Sequence, residues 1–180
     1  MDENFLNTLL KSYYDLLNRV DDKNRHVEKK YPGKIACKKG CDSCCKFLTL
    51  FSVEAFSLSK SFIKLPLSTQ ELIFKKVEKN ENACPLLIKG TCALYSNRPI
   101  ICRTHGYPIY LEKGNEIQID FCPKNFKRIT SFPKDVLLSI ERLNSALVAI
   151  NHHFLEFIET NPPLPERIPV SEAIFLLKEE

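Results

Sequence analysis

The feature that most constrains this chain is the stretch from Cys37 to Cys45, which reads C-K-K-G-C-D-S-C-C and holds four of the eight cysteines. The other four are Cys84, Cys92, Cys102 and Cys122. A thiolate is a soft ligand, and four thiolates satisfy one tetrahedral zinc or one iron–sulfur cluster. Eight cysteines therefore allow two four-thiolate sites, one polynuclear site, or one site beside uncoordinated thiols.

The spacing of the cysteines predicts the kind of backbone that carries them. Ligands this close in sequence cannot point at one site from a strand, because successive side chains of a strand face opposite sides. A tight loop that curls round a metal, with Gly40 inside it, is the expected conformation. The later cysteines are separated by seven, nine and nineteen residues, so we expect separate loops to bring them to one region.

The start of the chain and its hydropathy favour metal ligation over disulfides. The first residues are acidic and lack the basic and apolar regions of a signal peptide. No apolar run approaches the roughly 18 to 20 residues that cross a bilayer. We therefore expect a cytoplasmic protein with no membrane association. Thiols stay reduced in the cytosol, where clustered cysteines are more often ligands than disulfides.

The composition is that of a globular protein with a modest positive charge. Apolar residues make up 44% of the chain, charged residues make up 27%, and the formal net charge is +4. The basic residues are scattered along the sequence, which makes a nucleic-acid partner an unfavoured interpretation. A length of 180 residues suits a single domain, 1–180, with one core of normal size.

Apolar periodicity predicts helices on both sides of the cysteine region. It extends over residues 5–27 and again over 131–159, which we expect to be the longest helix and to pack on the first. Two shorter helices should follow the cluster. One covers residues 53–63, and the other begins with the capping box Ser68-Thr69-Gln70-Glu71 and runs to about Glu81. By folding back, these two helices would bring Cys84 beside the cluster.

The remaining segments are predicted to be short and irregular. Residues 109–111 and 117–119 flank Gly114 and predict a small β-hairpin, and residues 160–180 form a Pro-rich connector with a short C-terminal helix. The predicted fold is mainly α with a small β-hairpin and a loop-rich cysteine region. It is a single irregular domain organised round metal, with residues 33–124 as its metal-binding core. Bound metal would compensate for the small apolar core of the turn-rich residues 83–121.

Several common motifs are excluded. Cys37, Cys41 and Cys44 have the C-x3-C-x2-C spacing of radical-SAM enzymes, but the alternating strands and helices of their barrel do not follow. Only Cys41 and Cys44 form a C-x2-C pair, so ordinary zinc-finger spacing is missing as well. The sequence also has no Ser-His-Asp set, P-loop or dinucleotide fingerprint.

One family has the same motifs in the same order. The order is C-x3-C-x2-C-C, then Cys84-Pro85-Leu86-Leu87, Gly90-x-Cys92-x-x-Tyr95, Arg98-Pro99-x-x-Cys102-Arg103, and finally Cys122-Pro123. Over about residues 33–124 the chain therefore resembles the YkgJ-type cysteine-cluster family, a group described as a zinc- or iron-chelating domain. The resemblance implies that all eight cysteines are candidate metal ligands, and it implies no agreed activity. Members are often labelled iron–sulfur oxidoreductases, and a similar cluster occurs in flagellin lysine methylases.

Residues beside the cysteines have supporting roles in this interpretation. Arg98 and Arg103 belong to the family pattern, and their guanidinium groups would offset the negative charge of metal-bound thiolates. Tyr95 is expected to be a core aromatic. His105 lies three residues after Cys102 and is a candidate additional ligand, although a local hydrogen bond is the simpler expectation.

The sequence favours a metal-binding protein with a Cys-ligated zinc or iron–sulfur site, and it leaves the choice of metal and any catalysis open. One alternative is an iron–sulfur oxidoreductase or protein-modifying enzyme. A second alternative is a zinc-dependent interaction module that presents its helices to a protein or nucleic acid.

Overall fold

The computed structural model describes residues 2–37, 40–79, 83–114, 116–158, 160 and 163–177. Helices make up about half of the chain and the strands are short, which confirms the predicted mainly α fold with small sheets. Contacts between Cα atoms divide the chain into two compact units. Unit 1 comprises Met1–Leu10, Lys39–Pro99 and Ile150–Glu180, and unit 2 comprises Lys11–Lys38 and Ile100–Ala149. The single domain 1–180 stays a prediction.

Six α-helices lie in the described ranges: α1 Glu3–Lys30, α2 Ser52–Phe62, α3 Leu67–Glu78, α4 Ile100–Thr104, α5 Ile140–Leu155 and α6 Val170–Ala173. The predicted first helix is thereby confirmed. It ends before Gly33, whose φ of 70° lies in the left-handed region that glycine adopts readily. Among the residues described, none of these helices is both long and apolar enough to cross a bilayer.

The strands are β1 Thr49–Leu50, β2 Leu87–Ile88, β3 Thr91–Cys92, β4 Ile109–Lys113, β5 Glu116–Asp120, β6 Leu138–Ser139 and β7 Ile168–Pro169. In unit 1, β1 pairs with β7 and β2 pairs with β3, both antiparallel. In unit 2, β4 is the central strand, antiparallel to β5 and parallel to β6. The predicted hairpin round Gly114 is confirmed as β4–β5.

The core of unit 1 is organised round the fully buried ring of Phe62. The rings of Phe74 and Phe175 meet it edge-on at centroid distances of 5.9 and 5.8 Å and stack on each other at 4.8 Å. Ile174 is fully buried beside them. Aromatic rings bury large apolar areas, so these contacts stabilise the packing of α3 and of the C-terminal segment on α2. The segment that follows the Pro-rich connector therefore packs into the core of unit 1.

The core of unit 2 contains the buried ring of Phe126. Its edge-on partners are Tyr31, Phe121 and Phe132, at centroid distances between 5.2 and 5.7 Å. The amide of Phe126 also donates to the carbonyl of Lys34 at 2.7 Å. This hydrogen bond joins the segment that leads to Cys37 with the segment that follows Cys122.

The start of α3 corrects the predicted capping box. The helix begins at Leu67, where the Pro66 carbonyl accepts the amides of Thr69 and Gln70. No side-chain hydrogen bond caps the helix, so Ser68 is not its N-cap. The predicted end at Glu81 lies outside the described residues.

The helix predicted over residues 131–159 begins later than expected, and it is not the longest helix. Helix α5 has 16 residues, begins at Ile140 and is shorter than α1, which has 28. The residues before it form β6, because Leu138 pairs with Ile109 of β4. The hydroxyl of Ser139 then accepts the amide of Arg142 and serves as the N-cap. The helix ends at Leu155, and the predicted end at Glu159 lies outside the described residues.

Candidate metal centre

The two units divide the eight cysteines between them. Unit 1 contains Cys41, Cys44, Cys45, Cys84 and Cys92, and unit 2 contains Cys37, Cys102 and Cys122. All eight lie within the described residues, and none of them forms a disulfide. Cys37 and Cys44 are exposed, whereas the other six are partly buried.

Backbone pairing in unit 1 brings Cys84 beside Cys45. The amide of Cys84 donates to the carbonyl of Cys45 at 3.1 Å, and Lys46 and Ala83 form an isolated antiparallel bridge. These contacts follow two helices that return the chain to the cluster. The expectation that Cys84 lies next to the cluster is confirmed.

A hairpin turn carries Cys92 to the same region. Lys89 and Gly90 connect β2 to β3 with φ angles of 48° and 72°; positive values at both positions match the turn type that suits two-residue hairpins. Cys92 then lies opposite Leu87 in the ladder. A Cβ atom on Gly90 would stand 3.9 Å from Cα of Gly40, so the hairpin rests on the loop of the cluster.

In unit 1, the charges of Cys44, Cys84 and Cys92 each act on Cys45, and we call these four cysteines the unit 1 thiol group. Burial, together with the neighbouring thiols of the other three members, raises the pKa of Cys45 to about 11. Burial also raises the pKa of Cys84 and of Cys92. These three thiols are therefore protonated at neutral pH without a metal, and a bound cation has to displace their protons.

Two cations accompany the unit 1 thiol group. Burial keeps the pKa of both Cys84 and Cys92 above the ordinary value. The charge of Lys76 offsets part of this rise at Cys84, and the charge of Arg98 offsets part of it at Cys92. The Lys76 ammonium is held by the carbonyl of Leu87 at 2.7 Å. Arg98 thus lies where the sequence analysis expected a charge-compensating residue. Lys76 was not predicted, because only the fold places α3 next to Cys84.

Three residues of the family pattern differ in environment. Arg98 stacks on Tyr95, with its guanidinium carbon 3.7 Å from the ring centroid. Tyr95 is 54% exposed, so the expectation of a core aromatic was wrong; the ring serves as a platform for the arginine. Arg103 is buried and forms an ion pair with Asp21 inside unit 2.

In unit 2, one buried asparagine connects the segments of Cys37 and Cys122. Oδ1 of Asn125 accepts the amide of Ala36 at 2.8 Å, and Nδ2 donates to the carbonyl of Gly106 at 2.8 Å. Nδ2 also lies 3.4 Å from Sγ of Cys37, and the amide of Asn125 donates to the carbonyl of Cys122 at 2.8 Å. The side chain is 1% exposed. Asn125 therefore fixes both cysteine segments at once.

Gly106 fills the space between the same two cysteines. A Cβ atom at this position would stand 3.3 Å from Sγ of Cys37, 3.5 Å from Cβ of Cys122 and 3.0 Å from Nδ2 of Asn125. Neither Gly106 nor Asn125 was predicted from the sequence to belong to the site. The local signal was an asparagine three residues after Cys122, which indicates a turn but does not reveal burial.

Cys102 lies on α4, and His105 follows the end of that helix. The amide of His105 donates to the carbonyl of Ile101 at 3.1 Å, and the residue is exposed. This contact is a backbone hydrogen bond that continues the helix, so it does not test the expected local hydrogen bond of the imidazole ring. Ligation by His105 stays a prediction.

The donor atoms of the unit 1 thiol group suit zinc or an iron–sulfur cluster, because all four are sulfur and two cations lie beside them. Their arrangement is not a finished coordination sphere. Within the part of the chain that the structure describes, no three His, Cys, Asp or Glu side chains are grouped so that they could hold a metal ion.

Residues 36–123 match the model of the CxxCxxCC family, described as a putative zinc- or iron-chelating domain. This region of the chain is similar to the CxxCxxCC family. The match confirms the cysteine-cluster resemblance and the expected choice between zinc and iron. The CxxCxxCC region contains all eight cysteines, whereas Asn125 lies just beyond it. No curated protein and no solved structure is significantly similar to the chain.

Proposed function

We propose that this protein binds zinc or an iron–sulfur cluster through cysteine thiolates of the CxxCxxCC region. The observation that carries the proposal is the unit 1 thiol group, in which separate segments bring four soft donors together. Four thiolates complete either a tetrahedral zinc site or a four-iron cluster. The remaining candidate ligands are Cys37, Cys41, Cys102 and Cys122.

The charges of the site support this assignment. A divalent zinc with four thiolates keeps two net negative charges, and Lys76 and Arg98 offer two positive charges next to the group. Bound zinc would act as a structural link without redox chemistry, whereas an iron–sulfur cluster would allow electron transfer. The raised pKa values of Cys45, Cys84 and Cys92 mean that binding of either releases protons.

We also propose that the metal organises this part of the fold. Strands β2 and β3 have two residues each, and Cys84 and Cys92 pack only at the edge of the unit 1 core. A metal held by the unit 1 thiol group would fasten the cluster loop, the segment after α3 and the hairpin to one another. A cytoplasmic location, where the thiols stay reduced, belongs to the same proposal. No further partner is part of it.

The test is the metal and sulfide content of protein purified without oxygen. We expect about one zinc per chain in colourless protein, or about four irons and four acid-labile sulfides in brown protein. The double variant Cys84→Ser/Cys92→Ser should lose that metal. Proton release on addition of zinc to stripped protein provides a second readout.

The matched control is Thr91→Ser, which lies beside Cys92 in the same strand and leaves all thiols in place. It should keep the metal content of the unmodified protein. Full metal content in the double cysteine variant, or no metal in anaerobically purified unmodified protein, would contradict the proposal.

A further inference from the structure

Unit 2 contains a half-open cleft with a volume of about 660 Å³. Helix α1, strand β4, the segment 134–139 and the first turns of α5 surround it. None of the described cysteines lines it. Small-molecule sites in proteins have volumes of roughly 300–1,000 Å³, so the cleft has the dimensions of a ligand site.

One wall of the cleft is apolar. Val20 from α1 and Leu143 from α5 line it and are buried, and Leu137 and Leu138 from the intervening segment line it and are partly buried. Water in contact with such a wall is displaced favourably by an apolar ligand chain. The wall therefore predicts a ligand with a hydrocarbon portion.

Positive charge dominates the polar side of the cleft. Its charged lining residues are Arg19, Lys23, Lys134, Arg142 and Glu112. Four cations against one carboxylate leave an excess of three positive charges. Such an excess among the lining residues of a partly apolar cleft favours an anionic ligand.

Three of these cations have no carboxylate partner among the described residues, namely Arg19, Lys134 and Arg142. The acid next to Arg142 in sequence, Glu141, accepts the hydroxyl of Ser139 and the amide of Glu112 instead. Lys23 donates to the carbonyl of Asp135 at 2.6 Å, and that acceptor carries no charge. The guanidinium groups thus remain available for a bound anion.

We propose that this cleft binds a single-chain anionic amphiphile, a medium-chain fatty-acid carboxylate. The carboxylate bonds to Arg19 and Arg142, and the chain lies on the wall formed by Leu137 and Leu138. Arginine suits this task because its planar group donates two parallel hydrogen bonds to a carboxylate. This assignment goes beyond metal binding and does not depend on it.

The test is calorimetric titration of the metal-loaded, full-length protein with three probes below micelle-forming concentrations. Decanoate should bind at one site per chain. Decanol, which has the same chain without charge, should bind about tenfold more weakly, because it lacks the charge-assisted hydrogen bonds. Acetate, which has the carboxylate without the chain, should show no measurable binding.

Two variants locate the site. Arg19→Gln/Arg142→Gln should weaken decanoate binding about tenfold or more, and Ala146→Phe should do so by filling the cleft. The control Lys29→Gln/Lys127→Gln removes two exposed charges of unit 2 outside the cleft and should bind decanoate normally. Circular dichroism and thermal unfolding confirm that each variant is folded.

Several outcomes overturn the proposal. Equal affinity for decanol and decanoate would show that the cations do not contribute to binding. Normal decanoate binding by the arginine variant would show that the carboxylate does not bind to Arg19 and Arg142. Equal weakening in the lysine control reduces the effect to general charge attraction. An absence of decanoate binding, or a dimer in solution that covers the cleft and excludes decanoate, also refutes it.

Discussion

Replacement of Asn125 by alanine should destabilise unit 2, because this side chain joins three segments while it is almost completely buried. The change removes the hydrogen bonds to the Gly106 carbonyl and from the Ala36 amide, each 2.8 Å long. Gly106 is buried, and a buried carbonyl left without its partner costs about 1–3 kcal/mol. Ala36 is exposed, so water replaces its partner and the net loss there is about 1 kcal/mol.

We therefore expect Asn125→Ala to lower the free energy of unfolding by about 2–4 kcal/mol. The measurement is urea unfolding followed by far-ultraviolet circular dichroism at equal metal load, with both midpoints and slopes compared. Asn125→Asp keeps the acceptor for Ala36 but replaces the donor with a carboxylate oxygen that faces the Gly106 carbonyl. It should destabilise the protein at least as much as the alanine variant.

The matched control for this prediction is Asn18→Ala, which removes an exposed amide from α1. Such a surface change should alter the free energy of unfolding by no more than about 0.5 kcal/mol. If Asn125→Ala is also within that limit, the reasoning fails, and the hydrogen bonds of this asparagine do not hold the cysteine segments together.

Two further predictions concern unit 2. Gly106→Ala should lower the free energy of unfolding by about 2 kcal/mol or more, because φ is +97° and the new Cβ would meet Asn125 and Cys37. The control Gly33→Ala, with a φ of +70° and open space around it, should lower it by only about 1 kcal/mol. Equal shifts of the melting temperature in the two variants would contradict the steric argument. Asp135 has a pKa lowered to about 2, through hydrogen bonds from Lys30 and His26. A carboxyl group whose pKa is lowered by folding stabilises the fold at pH values above its ordinary pKa of 3.8. This stabilisation disappears as the pH falls through about 2, the pKa in the folded protein. Asp135→Asn should therefore have a lower melting temperature than the unmodified protein at pH 6 and the same melting temperature near pH 2. A constant difference in melting temperature across that range would rule out the ion-pair explanation.

Elements with a strong local signal could be predicted from the sequence. Apolar periodicity revealed α1, and alternation on either side of Gly114 revealed the β4–β5 hairpin. The start of α5 could not be predicted in this way. Pro133 and Asp135 resemble a helix start, but β6 pairs with β4, and only the tertiary fold brings these two strands together.

The cysteines stand out from the sequence as candidate ligands, whereas most of the residues around them do not. Cysteine spacing identified the thiols, because soft ligands in a dense cluster have few other uses. The cation Lys76 and the buried amide of Asn125 could not be identified, since each acts through a distant segment that folding brings alongside. The environment of Tyr95 was predicted wrongly because an aromatic three residues before an arginine is compatible with either a core position or an exposed stacking platform.

The interleaving of the two units limits how this protein can be dissected. The matched segment 36–123 takes residues from both units, yet it leaves behind α1, α5 and the Phe126 ring. A fragment cut to the family boundaries would therefore carry every thiol and lack much of the apolar packing that positions them. Studies of metal loading need the full chain, and fusion of the bare cysteine segment to another protein should transfer the ligands without transferring the site.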